Sequence, residues 1–185
     1  MAFFPMFFDI EGKEVLVVGG GDIAFRKVEK LLPFNPKITL VAEKIKNNAI
    51  KILFQEQKIK IIERKFLFSD IDGKDIVIVA VDDVNLQRDI YMYCNEKKIF
   101  VNSVDSPDYC NFIFPAYIKK GDIVIGITTS GKAPSLSGKL REIIEKSLPS
   151  NIENILDELD KIRKSHPKGK ERQEILIKKL REIFE

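Results

Sequence analysis

The feature that most constrains the fold is a glycine-rich turn placed directly after a short apolar run. Residues 14–18 read Glu-Val-Leu-Val-Val, and the chain continues with Gly19-Gly20-Gly21-Asp22-Ile23-Ala24. A run that is apolar on both faces predicts a buried parallel strand. Apolar residues at spacings of three and four then predict a helix over residues 22–32. The sequence therefore places a G-x-G-x-x-A pattern between a strand and a helix, which is the context typical of a dinucleotide-binding turn.

Each small residue of this turn has an expected task. Gly19 permits the tight turn, Gly21 lets a pyrophosphate approach the backbone, and Ala24 lets the helix pack closely on the sheet. The backbone N–H groups of Asp22 and Ile23 lie in the first turn of the helix, where they are free to bind an anion. The alternative interpretation is a glycine-rich turn that binds no ligand.

Strands and helices alternate over the first hundred residues. Strands are predicted at residues 14–18, 37–42, 58–62, 75–81 and 99–102, and helices at residues 22–32, 47–56 and 85–97. Parallel neighbours require crossover connections, and helices supply them. The pattern therefore predicts the α/β class, with a Rossmann-like doubly wound parallel sheet.

The pattern changes after the fifth strand. Two strands at residues 111–119 and 122–128, a helix at 135–147 and two helices at 151–165 and 168–184 are predicted. We divide the chain into a dinucleotide-binding domain (1–113), a small strand-strand-helix unit (114–148) and a C-terminal helical hairpin (149–185). The middle unit is too small to bury a core of its own, so we predict that it is a dimerisation unit pairing two copies of the chain.

Charged residues follow two of the predicted strands. Glu43 is placed where an acidic partner for the ribose is expected, about 20 residues beyond the turn, although Lys44 beside it weakens the choice between NAD and NADP. Val81 and Asp82 follow the fourth strand, where the cofactor would continue across the sheet. An equally weighted alternative is that Asp83 simply caps the next helix.

Composition excludes several classes of protein. With one histidine, His166, and two cysteines, Cys94 and Cys110, the chain has neither a disulfide scaffold nor a tetrahedral zinc site, and we predict no metal site. We predict that His166 lies at the surface and that both cysteines are buried. The net charge of +3 includes no concentrated basic stripe, which argues against nucleic-acid binding. The apolar opening, residues 1–8, is too short for a membrane span, so we predict a cytoplasmic protein that does not bind membranes.

Four stretches of the chain together point to one family. They are the sequences Phe4-Pro5-Met6-Phe7-Phe8, Val17 to Ala24 with Arg26-Lys27, Val101 to Pro107 leading into Asn111 to Ala116, and Thr128 to Pro134. Over residues 4–149 the chain resembles the precorrin-2 dehydrogenase family, the NAD-binding part of siroheme synthases. Some members of this family also act as sirohydrochlorin ferrochelatases.

The resemblance implies an activity, a cofactor and a site. The family oxidises precorrin-2 to sirohydrochlorin with NAD⁺ as a homodimer, and some members then insert ferrous iron, which is a substrate. The family's catalytic aspartate falls on Asp105, and its cofactor contacts fall on Asp22, Ile23, Glu43 and Lys44.

Two of these assignments have simpler alternatives. Asp105 begins an Asp-Ser-Pro sequence that is good turn chemistry on its own, and only the resemblance favours a catalytic base there. A loop rich in hydroxyls before the Pro134 helix would bind the carboxylates of the substrate, or it is an ordinary loop. The residues of this predicted anion-binding loop are Thr128, Thr129, Ser130, Gly131 and Lys132.

Two other functions compete with the enzyme. One is a sensor domain that binds NAD to gate a partner, which would need neither a base at Asp105 nor the 128–132 loop. The other is a tetrapyrrole- or metal-binding chaperone with degenerate use of the cofactor.

Overall fold

A computed structural model describes residues 3–184, and the ends of the predicted first and third domains, Met1, Ala2 and Glu185, lie outside them. By its contacts the chain divides into two units, which are Phe4–Phe114 and the residues from Pro115 onward together with Phe3. The further boundary at residue 149 stays a prediction. No helix within residues 3–184 is both long enough and apolar enough to cross a membrane.

The first unit is built on a five-stranded parallel sheet with the strand order β3-β2-β1-β4-β5. Its strands are β1 (Glu14–Val18), β2 (Lys37–Ala42), β3 (Ile59–Glu63), β4 (Ile76–Val79) and β5 (Phe100–Ser103). Its helices are α1 (Asp22–Leu31), α2 (Asn48–Gln55) and α3 (Val84–Glu96). In the register, Val17 is paired with Leu40 of β2 and with Ile78 of β4. The predicted Rossmann-like α/β class is confirmed.

Two apolar layers cover the two faces of this sheet. On one face Val15, Val17 and their neighbours pack against the buried side of α1 and α2, including Val28 and Ile50. On the other face Leu16 and Val18 pack against residues of α3 such as Ile90 and Cys94. Because successive residues of a strand point to opposite faces, the continuous apolar run of β1 supplies both layers.

The regular alternation of strands and helices fails once. The crossover from β3 to β4 has no α-helix, and a short 3₁₀ helix, Phe68–Ile71, takes its place. The side chain of Ile71 is fully buried in the second apolar layer. Arg64 and Asp70, which form two hydrogen bonds of 2.6 and 2.8 Å, hold this turn together. This ion pair holds the pKa of Asp70 below its ordinary value, chiefly through the hydrogen bonds from Arg64.

Three predicted strands, at residues 75–81, 111–119 and 122–128, are longer than the observed ones. β4 covers residues 76–79 of the predicted 75–81, although Asp75 N still donates to Glu14 O and Ala80 N to Val18 O. Beyond the strand, Val81 O accepts from the side chain of Gln87. The strand predicted at residues 111–119 begins only at Ala116. Asn111 instead pairs with β5, because its N–H donates to Val101 O and its Oδ1 accepts from Val101 N.

The second unit contains a strand pair and three helices. The antiparallel strands β6 (Ala116–Lys120) and β7 (Ile123–Ile127) are joined by a turn at Gly121, whose φ is +53°. The helices that follow are α4 (Pro134–Ser147), α5 (Ile152–Ser165) and α6 (Lys170–Phe184). Lys179 of α6 forms a 3.1 Å ion pair with Glu158 of α5, so these helices make the expected hairpin.

Replacing Gly19 by alanine tests the packing of the glycine turn. Gly19 has φ +126°, and a Cβ atom there would lie 2.2 Å from the carbonyl oxygen of Ala80. We expect Gly19→Ala to lower the free energy of unfolding by about 3 kcal/mol, measured by urea denaturation. Gly21→Ala is the matched control, because a Cβ atom at Gly21 meets nothing within 4 Å. Equal stability of the two variants would contradict this account of the turn.

Candidate functional site

The glycine turn lies at the edge of the sheet where the parallel strands end, which we call the carboxyl edge. Gly19 N donates to Val41 O of β2, and Gly20 O accepts from the N–H groups of Lys46 and Asn47. A Cβ atom at Gly20 would lie 2.6 Å from the carbonyl oxygen of Lys44. The turn is therefore held between the ends of β2 and β4, and its first two positions exclude any side chain.

The third glycine has open space beside it. Gly21 is the N-cap residue of α1, and no side chain caps this end of the helix. The first-turn N–H groups, which include those of Ile23 and Ala24, have no carbonyl partner one turn earlier within the helix. Asp22 is exposed and its Oδ1 accepts a 2.8 Å hydrogen bond from Asn47 Nδ2. An open backbone, free N–H groups and the positive end of the helix dipole fit the diphosphate of a dinucleotide.

The end of β2 supplies the predicted charged pair. Glu43 and Lys44 follow Ala42 immediately, and both side chains are exposed. The next residue, Ile45, is buried, and its N–H donates to Glu63 Oε1 at 3.3 Å. Both predicted cofactor residues thus lie at the carboxyl edge. They follow β2, which is paired with β1, the strand that leads into the glycine turn.

Two neighbouring aspartates that follow β4 have different surroundings. Asp83 caps α3, because its Oδ1 accepts from the N–H groups of Asn85 and Leu86. Asp82 is exposed, and Val81 is partly buried. The structure therefore gives Asp83 the capping task and leaves the Asp82 carboxylate at the carboxyl edge.

The end of β5 carries Asp105. Val104 N donates to Val79 O, so the chain stays bonded to β4 until one residue before Asp105. Asp105 itself is exposed and has a left-handed backbone with φ +60°. Few residues other than glycine, asparagine and aspartate adopt this conformation readily. The carboxylate is therefore held on a tight turn at the same edge as the glycine turn.

A buried thiol closes the loop that carries Asp105. Cys110 Sγ accepts from Ser103 N and donates to Ser103 O, both at 3.2 Å. Burial raises the pKa of this thiol, so it stays protonated and can donate. Cys110 is buried as predicted, and so is Cys94, where burial raises the pKa to about 12. His166 follows the last residue of α5 and has intermediate exposure, so part of it lies at the surface.

Sequence reasoning missed Lys27, a partly buried lysine on α1. Its Nζ lies 3.3 Å from Asn102 Oδ1 and 4.2 Å from the centroid of the Phe114 ring. The pKa of Lys27 is lowered to about 8, chiefly by burial and also by nearby Lys30, whereas Asp105 acts to raise it. The Arg26-Lys27 pair was visible in the sequence, but its burial depends on contacts with distant residues.

The predicted anion-binding loop belongs to the second unit and links β7 to α4. Two of its hydroxyls bond within the loop: Thr128 Oγ1 accepts from Ser130 N, and Thr129 Oγ1 accepts from Ala133 N. Ser130 and Gly131 have left-handed backbones with φ +55° and +79°. Its exposed members are Thr128, Ser130, Gly131 and Lys132.

Metal ligands are not clustered in the described part of the chain. Residues 3–184 contain no group of three or more histidine, cysteine, aspartate or glutamate side chains that could hold a metal ion. The polar groups at the carboxyl edge are suited to a dinucleotide and to proton transfer by a carboxylate.

Comparison with known families gives the same assignment. A family model described as "Putative NAD(P)-binding" matches residues 6–116, which is more than half of the chain. The chain belongs to this NAD(P)-binding family. The match covers the glycine turn, the ends of β2, β4 and β5, and Asp105.

Curated relatives of this member of the NAD(P)-binding family are siroheme synthases. That of Ruthia magnifica is 40% identical over 149 residues, which is 80% of this chain and 31% of the relative. That of Blochmanniella floridana is 40% identical over 152 residues, which is 82% of this chain and 33% of the relative. The chain therefore spans about a third of the length of the curated relatives it matches.

A solved structure shares the fold over most of its length. "SirC, precorrin-2 dehydrogenase" matches with a TM-score of 0.75, covering 95% of this chain and 88% of that chain. The sequence identity is 22%, so this likeness supports the architecture of the NAD(P)-binding chain.

The lowered pKa of Lys27 predicts how stability depends on pH. Because the folded chain disfavours the ammonium form, the penalty is complete below pH 8 and fades as pH rises towards the ordinary pKa of 10.5. We expect Lys27→Met to raise the free energy of unfolding at pH 7 by about 1 kcal/mol, after allowing for partial exposure of the amine. The gain should shrink between pH 8 and pH 10 in urea denaturation. A constant difference across this range would contradict the assigned shift.

Proposed function

We propose that the protein is an NAD-dependent oxidoreductase that dehydrogenates precorrin-2 to sirohydrochlorin. The observation that carries this proposal is that the Asp105 carboxylate and the open glycine turn lie on the same edge of one sheet. The names of the relatives, siroheme synthases, give the substrate class. A polycarboxylate tetrapyrrole bound beyond the strand ends would meet both the cofactor and the base.

The residues of the turn would hold the cofactor. Gly19 and Gly21 shape the backbone, Asp22, Ile23 and Ala24 offer the helix N-terminus, and Glu43 bonds the ribose hydroxyls, with Lys44, Val81 and Asp82 completing the predicted contacts. The exposed carboxylate of Glu43 supports NAD over a phosphorylated cofactor, because it would repel a 2′-phosphate. When bound, the nicotinamide supplies a hydride acceptor.

Asp105 has the task of handling the proton. Removing a hydrogen pair from precorrin-2 transfers one hydride to the cofactor and releases one proton. A carboxylate at Asp105 accepts that proton, and its exposure lets the proton pass on to water. The left-handed turn fixes the direction of the side chain, since the loop is bonded at both ends through Val104 and Cys110.

Residues 128–132 would bind substrate carboxylates. Lys132 is an exposed cation, and the left-handed Ser130 and Gly131 turn the loop so that its outer positions stay in solvent. Thr128 Oγ1 accepts one hydrogen bond inside the loop, which leaves its hydroxyl proton for a bond to a ligand. Thr129 Oγ1 accepts from Ala133 N and is also hydrogen-bonded to Ser137 Oγ at 3.1 Å.

Ferrous iron insertion is a second candidate activity, and the exposed carboxylate of Asp105 is the observation that favours it. Iron in this case is a substrate, and a carboxylate suits an intermediate metal without a cluster of histidines. The same carboxylate would take up pyrrole protons as the metal enters the ring.

We also propose that two copies of the chain pair through residues 114–148 and that the protein acts in the cytoplasm. Large apolar side chains of α4 support the pairing, because Leu136, Leu140 and Ile143 are 50%, 37% and 54% exposed. Two free cysteines, Cys94 and Cys110, support a reducing compartment.

Gly21→Asp tests the cofactor site. The variant adds a side chain and a negative charge where the diphosphate would lie, so we expect NAD⁺ binding to fall at least a hundredfold in isothermal titration calorimetry. Gly169→Asp is the matched control, because it adds the same charge at a position where a Cβ atom meets nothing within 4 Å. Unchanged affinity in Gly21→Asp would place the cofactor elsewhere.

Asp105→Asn tests the base. Asparagine tolerates the left-handed backbone, so the turn should persist, while the group that accepts the proton is lost. We expect kcat for precorrin-2, followed anaerobically by sirohydrochlorin absorbance, to fall about a hundredfold or more, with NAD⁺ affinity unchanged. Asp108→Asn, an exposed aspartate in the same loop, is the control. Tight NAD⁺ binding by the unaltered protein without turnover would favour the sensor function instead.

A further inference from the structure

Lys27 is a cation whose closest partners carry no charge. The side chain of a helical residue leans towards the N-terminus of its helix, so Lys27 reaches back along α1 to the end of β5. There its Nζ donates to Asn102 Oδ1 at 3.3 Å and lies 4.2 Å from the centroid of the Phe114 ring. Neither an amide oxygen nor a ring face neutralises an ammonium ion.

The position of this amine is fixed by a buried side chain. Asn102 is 6% exposed, and its Nδ2 donates to Phe112 O at 3.1 Å and to Cys110 Sγ at 3.5 Å. These bonds orient the amide so that its oxygen faces Lys27. An ammonium ion donates three hydrogen bonds, and Asn102 accepts one of them.

Burial and the neighbouring charged groups shift the pKa of Lys27 in opposite directions. Burial is the largest influence on its pKa and lowers it, and the cations Lys30 and Arg26 on the same helix act in the same direction. Asp105, in the segment that follows β5, raises it, whereas Cys110 is a neutral thiol at pH 8. The result is a pKa of about 8, so at neutral pH most molecules hold a partly desolvated cation within electrostatic range of Asp105. An anion arriving there gains more from this cation than from a hydrated surface lysine.

We propose that Lys27 binds a carboxylate of the tetrapyrrole substrate and so positions the ring beside Asp105. This inference rests on the proposed function and assigns a substrate contact within its site. The substrate is favoured over the cofactor by position. Lys27 Nζ lies at the end of β5, whereas the glycine turn is bonded to the ends of β2 and β4.

Binding through Lys27 should depend on pH in one direction. The ammonium form binds a carboxylate and the neutral amine does not. Below pH 8 the affinity should be constant, and above pH 8 it should fall as the amine loses its proton. Asp105, Cys110, Lys30 and Arg26 are the titratable and charged groups that act on the Lys27 amine.

The first experiment measures binding of the product, sirohydrochlorin, by fluorescence titration, so that no turnover is needed. At pH 7 we expect Lys27→Met to weaken binding by about 10- to 100-fold, which is the range for a lost charge-assisted hydrogen bond. Lys27→Arg keeps the cation and should stay within about threefold of the unaltered protein. Lys51→Met, at an exposed lysine of α2, is the matched control and should bind normally.

The second experiment repeats the titration between pH 7 and pH 9.5. The dissociation constant of the unaltered protein should rise by up to about tenfold per pH unit above pH 8, whereas that of Lys27→Arg should stay level. In steady-state kinetics with precorrin-2 at pH 7, Lys27→Met should raise KM and change kcat little, because the lost contact exists before and during the reaction. A purely structural lysine would produce neither the pH profile nor this split.

An NAD⁺ titration shows whether Lys27 binds the diphosphate of the cofactor or a carboxylate of the substrate. We expect equal NAD⁺ affinity for the unaltered protein and for Lys27→Met, and a parallel loss would assign Lys27 to the cofactor and overturn the proposal. Turnover of precorrin-2 by the unaltered protein, together with tight sirohydrochlorin binding by Lys27→Met, would overturn the proposal while leaving the proposed function intact. If the unaltered protein neither binds sirohydrochlorin nor turns over precorrin-2, the proposed function fails and the assignment of Lys27 fails with it.

Discussion

The approach of Gly19 to the carbonyl oxygen of Ala80 is the constraint on which the rest of the site depends. With a Cβ atom at this position 2.2 Å from that oxygen, only glycine lets the chain leave β1 between β2 and β4. That exit brings Gly21 to the start of α1 with open space beside it. The two glycines therefore differ in kind: Gly19 is required by the protein's own packing, and Gly21 leaves room for something outside it.

Helix α1 connects the two halves of the site. Its N-terminus faces the expected diphosphate, its buried residues Ala24 and Val28 fix it on the sheet, and Lys27 reaches β5. A dinucleotide and a second anionic ligand would thus be bound by groups on one rigid element. The lysine lies in an environment that disfavours its charge, so the folded chain carries a local destabilisation that an anionic ligand would relieve.

The strands and the glycine turn could be predicted because their signals are local. The apolar run of β1 and the spacing of Gly19, Gly21 and Ala24 are complete within eleven residues, about one strand and one turn of helix. Features set by distant contacts could not be predicted. Asn111 bonds to β5, and β6 begins only at Ala116. The burial of Lys27 depends on contacts with Asn102 and Phe114, which are more than 70 residues away in the sequence. Local sequence signals give equal weight to a cofactor contact at Asp82 and to a simple helix cap at Asp83, and only the positions of the α3 N–H groups show that Asp83 forms the cap.

The left-handed backbone at Asp105 limits which residues can replace it over evolutionary time. At a φ of +60°, the side chains that cost least backbone strain are those of asparagine and aspartate, and glycine removes the side chain altogether. Aspartate, asparagine and glycine therefore allow the same backbone path at this position. Of the three, only aspartate has a side chain that can accept a proton as a base. A homologue that has lost proton transfer could therefore keep the same loop conformation. The loss of activity would be visible in the identity of the residue at position 105, and the backbone structure would not reveal it.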